Sequence, residues 1–173
     1  MKSLIFAAGL GTRLKPFTDS HPKALVPVGG EPMLGRVIRA VKEAGISEIV
    51  VNVHHFADQI EQFLAANGNF GVTIHVSNER SLLLDTGGGL LHARRFLDGT
   101  EPILLHNADV LTDFPLNELT LQGEATLAVS SRPSSRQLRF DGEGRLCGWI
   151  NHNSGETKGR SEGGELRSFN GVS

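Results

Sequence analysis

The stretch that decides the fold is Lys2–Pro16, KSLIFAAGLGTRLKP. Its opening, KSLIFA (Lys2–Ala7), is a continuous apolar run that stops at a glycine. Such a run suits a strand buried on both faces, as in a parallel sheet. Gly9 and Gly11 follow, then Arg13 and Lys15. A glycine-rich turn at the carboxyl end of a buried strand lies where open α/β sheets bind ligands. A dinucleotide fingerprint, G-x-G-x-x-G, needs a third glycine where this chain has Leu14. A P-loop needs Gly-Lys-Ser/Thr, which does not occur. The remaining reading is a loop whose backbone N–H groups wrap a triphosphate, with Arg13 and Lys23 supplying positive charge. Glycine suits it because a side chain would hold the backbone away and forbid φ > 0. The plain alternative is a surface turn with solvated cations. Residues 8–31 carry Gly9, Gly11, Pro16, Pro22, Pro27, Gly29 and Gly30, and so long a loop in a compact domain is usually functional.

Outward from this stretch, apolar periodicity alternates between strand and helix. Pro32 fits the first position of a helix carrying Met33, Leu34, Val37, Ile38 and Val41, closed by Gly45. EIVVNV (Glu48–Val53) is a second strand. Ile60, Phe63 and Leu64 mark another amphipathic helix, ended by NGNFG. VTIHV (Val72–Val76) is a third strand, and DTGGGLLHARRFL (Asp85–Leu97) is a glycine-rich turn feeding a helix, with Asp85 suited to cap it. PILLHNAD (Pro102–Asp109) and ATLAVSS (Ala125–Ser131) are a fourth and a fifth strand. This order predicts an α/β fold: a Rossmann-like open, mostly parallel sheet with helices on both faces. LRFDGEGRLCGW predicts a C-terminal β-hairpin turning at Asp141–Gly144. NHNSGETKGRSEGGE reads as a polar, mobile loop, and LRSFNGVS as the start of a further strand. One domain over residues 1–173 accounts for the whole pattern.

Composition limits the partners. The chain has 173 residues, 39% of them apolar, with 21 Gly and a net charge of −2. That balance makes no electrostatic case for a nucleic acid or an anionic membrane. Cys147 is the single cysteine, which excludes an intrachain disulfide and suits a reducing compartment. It sits beside Trp149, where packing explains it. The N-terminal apolar stretch is too short and glycine-broken for a signal peptide, and no run approaches the roughly 20 apolar residues of a membrane span. A soluble cytoplasmic protein is expected. His54 and His55 are adjacent on a strand and point to opposite faces, which argues against a metal pair. Arg94 and Arg95 read as a solvated helix face.

Residues 7–34, AAGLGTRLKPFTDSHPKALVPVGGEPML, resemble the signature of the sugar-1-phosphate nucleotidylyltransferases: a Gly-x-Gly-Thr-Arg-Leu loop followed by a Pro-Lys pair. DTGGG (85–89) and NAD (107–109) are similar to two further motifs of that family. Within it, VVNVHHFADQIEQFL and DTGGG look most like the bacterial N-acetylmuramate-1-phosphate uridylyltransferases, with the mannose-1-phosphate guanylyltransferases as the alternative. The resemblance covers nearly the whole chain.

It implies transfer of a nucleotidyl group from a nucleoside triphosphate, UTP first, to a sugar 1-phosphate, with release of pyrophosphate. Such transfers depend on positioning and charge neutralisation. The implied nucleotide site is Ala8, Gly9, Gly11, Thr12, Arg13, Lys23, Glu79, Thr86, Gly87 and Gly88. Backbone N–H groups of Gly9, Gly11 and Thr12 would meet the phosphates, and Arg13 would neutralise the leaving pyrophosphate. Lys23 would hold the α-phosphate or the sugar phosphate. The glycines at 87–89 would let a base lie flat. Asn107, Asn170 and Gly171 would contact the sugar. Asp109, with Asp113 as fallback, would bind Mg²⁺, the implied cofactor. The chain departs from the family pattern at Asp85 (commonly Glu), at Ala108 (commonly Gly), and in SSRPSSRQLRF, which replaces a Glu-Lys-Pro motif. The family's second metal-binding Asp belongs to a later C-terminal segment. Residues 1–173 are therefore expected to be a catalytic core incomplete at the C-terminus, with no helix-period segment after residue 119 to cover the late strands. Such a core would bind triphosphate yet turn over slowly, or bury its open surface in a homo-oligomer. A nucleotide-sugar binding module without turnover is the reading from another class.

Overall fold

A computed structural model describes residues 1–173. The elements in chain order are β1 (Lys2–Phe6), a two-strand ladder of β2 (Pro27–Val28) and β3 (Glu31–Pro32), α1 (Met33–Glu43), β4 (Glu48–Val53), α2 (Ala57–Ala66), β5 (Thr73–Asn78), α3 (Asp85–Ala93) and β6 (Ile103–Asn107). Then come β7 (Val129–Ser130), β8 (Arg136–Phe140), β9 (Leu146–Asn151), β10 (Thr157–Gly159) and β11 (Glu165–Phe169).

The first sheet has the order β5-β4-β1-β6 and is parallel throughout. Ser3 lies between Ile49 on one side and Leu104 on the other. Burial on both faces explains why KSLIFA shows no alternation. Ile5 packs with Leu34, Ile38, Ile60 and Leu64 of α1 and α2, while Leu4 packs on the opposite face with Val50, Ala93 and Leu97. The expected helices on both faces are present. The chain runs from β1 outward through β4 to β5, then returns to the other side of β1 as β6. That reversal is the switch point where α/β sheets open a crevice at their carboxyl ends.

Helix α1 ends as its sequence predicts. Gly45 takes φ +87°, its N–H donates to the Lys42 carbonyl, and the Ile46 N–H donates to the Val41 carbonyl. This pair of bonds is the Schellman motif. Pro32 sits one residue before the helix rather than at its first position. The long loop holds more structure than its sequence suggests, with single 3₁₀ turns at Thr12–Leu14, Phe17–Asp19 and Lys23–Leu25.

The C-terminal third forms an antiparallel sheet of order β10-β9-β8-β11-β7. The expected hairpin is there as β8 and β9. Two expectations change. ATLAVSS shrinks to the two residues of β7, paired with β11 outside the parallel sheet. The place beside β6 belongs instead to Gly171–Ser173, bonded through Asn107 N–H to Gly171 O and Ser173 N–H to Leu105 O. The segment expected to be a mobile loop contains β10. Gly159 lies opposite Gly148, and a Cβ on either glycine would meet backbone oxygen at 2.4–2.5 Å. Two glycines in register permit that approach, a pairing that composition alone does not reveal.

Gly171 ties the two sheets together. It has φ +81°, and an added Cβ would lie 2.8 Å from Val110 Cγ2 and 2.9 Å from Asn107 Nδ2. Gly171→Ala is expected to lower stability by about 2–3 kcal/mol through overpacking and left-handed strain. Gly142→Ala, in open space without positive φ, should stay within about 0.5 kcal/mol. Urea unfolding of the two variants checks the contrast.

His106 is 1% exposed. Burial pushes its pKa down, against smaller upward effects from its bond to the Asn107 carbonyl and the charge of Asp109. The folded chain therefore keeps His106 neutral where the unfolded chain takes up a proton. The stability this contributes is present above the ordinary value of 6.5 and is lost as pH falls below it. The urea midpoint should drop between about pH 7.5 and 5.5, and the drop should be shallower in His106→Gln.

Candidate active site

The switch point brings the carboxyl ends of β1 and β6 together. There a cavity of about 480 Å³ is lined by Gly9, Gly11, Thr12, Arg13, Lys23 and Asp109, among others. The loop is shaped by one tight contact. Gly11 has φ +65°, and a Cβ there would meet Lys23 Cβ and Thr18 Cγ2 at 2.8 Å each. Thr18 Oγ1 donates to the Gly11 carbonyl at 2.9 Å. Glycine thus lets the Lys23 segment close against the loop. Gly9 has neither positive φ nor any atom within 4 Å of its missing Cβ. The N–H groups of Gly9, Leu10 and Gly11 donate to no protein acceptor. Arg13 makes no ion pair, whereas Lys23 pairs with Asp109.

Behind the loop lies a buried polar network. Asn52 Oδ1 accepts from Ala7 N–H at 2.7 Å and from Ala8 N–H at 3.3 Å. Asn52 Nδ2 donates to Glu79 Oε1 at 2.9 Å, and Glu79 Oε2 accepts from Leu84 N–H at 3.4 Å. Asn52 and Glu79 are each 2% exposed. Gly89 of α3 rests on this pair: a Cβ there would lie 2.9 Å from Asn52 Nδ2 and from Glu79 Oε1. His54 Nδ1 bonds the Glu79 carbonyl at 2.6 Å, and the His55 ring lies against Phe56.

The anticipated residues divide accordingly. Gly9, Gly11, Thr12, Arg13, Lys23 and Asp109 converge. Ala8 differs from its expected role, since its N–H is already taken by Asn52. Glu79 is likewise buried beneath α3, with its carboxylate engaged, so it supports the site from within. Thr86, Gly87 and Gly88 lie inside α3 rather than in a turn before it, and they line neither this cavity nor its neighbour. Asp85 does not cap α3. It is the first helical residue, at φ +57°, and its Oδ1 accepts from Thr86 N–H at 2.8 Å. Gly87 has open space around its missing Cβ. Asn107 and Gly171 pack on each other and line neither of these two cavities. Asn170 and Asp113 line a second cavity of about 660 Å³, which shares Asp109 with the first. Asn52 was not anticipated from the sequence. Its signal was a lone amide inside the buried run EIVVNV.

Asp109 is the carboxylate of the first cavity, and no three His, Cys, Asp or Glu side chains gather as a metal cage. One carboxylate completed by substrate phosphates is a donor set that Mg²⁺ accepts. The residues therefore fit the ion in company with a triphosphate.

Fold and site together define a doubly wound α/β protein with a glycine-rich loop, Arg13, Lys23 and Asp109 around a cavity at its switch point. The chain belongs to the nucleotidyl transferase family, whose sequence profile matches residues 2–130. It is 43% identical over 113 residues to an N-acetylmuramate alpha-1-phosphate uridylyltransferase of Neisseria meningitidis, a match covering 65% of this chain and 48% of that protein. It is 38% identical over 138 residues to a probable mannose-1-phosphate guanylyltransferase of Oryza sativa, covering 75% and 38%. The chain thus spans about half the length, or less, of these curated relatives. The fold is shared with crystalline HddC from Yersinia pseudotuberculosis complexed with GMP-PN, at a TM-score of 0.76 and 21% identity, over 98% of this chain and 73% of that one.

Asn52→Leu keeps the branched shape and removes the amide, stranding two buried N–H groups and a carboxylate. The expected loss is about 3 kcal/mol. Hydrogen exchange at Ala7 and Ala8 should accelerate with it, and unchanged protection there would sink the assigned role.

Proposed function

We propose that residues 1–173 act as a nucleotidyltransferase domain. It moves a nucleotidyl group, preferentially uridylyl, from a nucleoside triphosphate to a sugar 1-phosphate. The observation that carries this reading is the unpaired N–H groups of Gly9 and Gly11, which line one cavity with the unpaired Arg13. Backbone donors and a guanidinium facing one cavity are the natural complement of a polyphosphate.

In this reading an acceptor phosphate oxygen attacks the α-phosphorus in line. The new P–O bond forms as the bond to the bridging oxygen breaks, and pyrophosphate leaves. Arg13 neutralises the charge that builds on that leaving group. Lys23 exchanges its bond to Asp109 for the α-phosphate or the sugar phosphate. Asp109, so released, would be the residue to hold Mg²⁺, which would supply charge neutralisation on the phosphate oxygens. Gly87 is a helical glycine with no packing reason of its own, which supports the approach of a flat base. The base preference rests on the likeness of DTGGG and VVNVHHF to uridylyltransferases. No helix is long and apolar enough to cross a membrane, and with the single cysteine this favours the cytoplasm.

Arg13→Ala is the direct test. The residue lies exposed in a loop, so the melting temperature should hold. Transition-state stabilisation should fall by about 2–4 kcal/mol, or roughly 30- to 1,000-fold in rate. Pyrophosphate release is measured with UTP, GTP, dTTP and CTP, beside calorimetric UTP binding. Fastest turnover with GTP would assign the guanylyltransferase activity instead. UTP binding without any release would make the domain a binding module. Activity of Arg13→Ala within about threefold of wild type contradicts the proposed role of the loop.

A further inference from the structure

The second cavity carries a cation that the proposed reaction does not use. About half of its wall is apolar, with Leu111, Phe114, Leu119 and Leu127 among its residues. Its charged side chains are Asp109, Asp113 and Arg132. Asp109 is paired with Lys23, and Arg132 has no carboxylate within ion-pair distance, although Asp113 lines the same cavity. Two neutral acceptors hold the guanidinium in place. Nη2 donates to the Phe169 carbonyl at 3.0 Å and Nε donates to Asn170 Oδ1 at 3.4 Å. Asn170 Oδ1 is itself fixed by Ser130 Oγ at 3.0 Å. Nη1 is left with no protein acceptor, and the amide nitrogen of Asn170 also donates to nothing in the protein.

An exposed but oriented guanidinium with no ion-pair partner, beside a wall of mixed polarity, is complementary to an anion on a body that is part polar and part apolar. The cavity shares Asp109 with the first cavity, so a molecule within it borders the proposed reaction centre. We propose that Arg132 determines specificity for the acceptor by binding an anionic group of the sugar phosphate. Asn170 Nδ2 takes a neighbouring oxygen of the same molecule. The inference rests on the acceptor-sugar reading above. The anion is either the 1-phosphate or a carboxylate elsewhere on the sugar, and Arg132 serves the same chemistry in both cases.

Three probes separate the two sources. N-acetylglucosamine 1-phosphate carries only the phosphate, N-acetylmuramic acid only the carboxylate, and N-acetylmuramic acid 1-phosphate both. Their binding to the whole chain is measured by calorimetry for wild type, Arg132→Gln and Arg132→Lys, with neutral N-acetylglucosamine as reference and thermal melting as a fold control. Arg132→Gln is expected to weaken the relevant anion about tenfold or more, and Arg132→Lys to restore part of the loss by charge without the planar fork. A loss confined to the two muramic acid probes assigns the carboxylate. A loss confined to the two 1-phosphates assigns the phosphate. Unchanged affinity for all three overturns the inference. So does an equal loss for neutral N-acetylglucosamine, or a wild-type chain that binds none of the three. UTP binding by the wild-type chain reports on the phosphate loop separately, so either reading can fail without the other.

Discussion

The carboxamide of Asn52 holds the active end of the molecule together. Its oxygen takes the N–H groups of Ala7 and Ala8, and its nitrogen reaches Glu79. Backbone donors leaving a parallel sheet have lost their ladder partners, and burying them unpaired costs about 1–3 kcal/mol each. One amide satisfies two of them and, through Glu79, anchors the segment that enters α3. A hydrocarbon at this position cannot accept, and a second carboxylate could not donate to Glu79. Asn52 thereby sets where β1 ends and the glycine-rich loop begins.

The glycines around this network fall into two kinds. Gly11, Gly89 and Gly171 are each pressed against a named neighbour at under 3.0 Å from the missing Cβ. They allow the loop to meet the Lys23 segment, α3 to lie on the Asn52–Glu79 pair, and the C-terminal strand to reach β6. Gly9 and Gly87 have neither a close neighbour nor positive φ. A glycine inside a helix, as Gly87 is, costs about 1 kcal/mol relative to alanine.

The charges of the two cavities follow one arrangement. Lys23 and Asp109 neutralise each other across the gap between the phosphate loop and the end of β6, so neither charge is stranded in a partly enclosed site. Arg13 and Arg132 remain without carboxylates, one in each cavity. Each cavity therefore carries one arginine without an ion-pair partner, on a chain whose net charge is only −2.

Local properties were legible in the sequence: the runs of β1, β4, β5 and β6, the apolar stripe of α1 with its Gly45 stop, the hairpin at Asp141–Gly144, and the loop carrying Gly9, Gly11, Arg13 and Lys23. Each depends on periodicity, turn chemistry or residue type within a few neighbours. The tertiary structure alone decided what meets across long separations. It paired Lys23 with Asp109, hung Ala7 and Ala8 on Asn52, buried Glu79 under Gly89, and gave the edge of β6 to Gly171–Ser173 rather than to ATLAVSS. It also brought Arg132 to the wall beside Asp109. Which segment takes the β6 edge is not encoded in any local pattern of Gly171–Ser173 or of ATLAVSS. The choice falls to packing, because only a glycine at 171 can approach Val110 and Asn107 as closely as the joined sheets require.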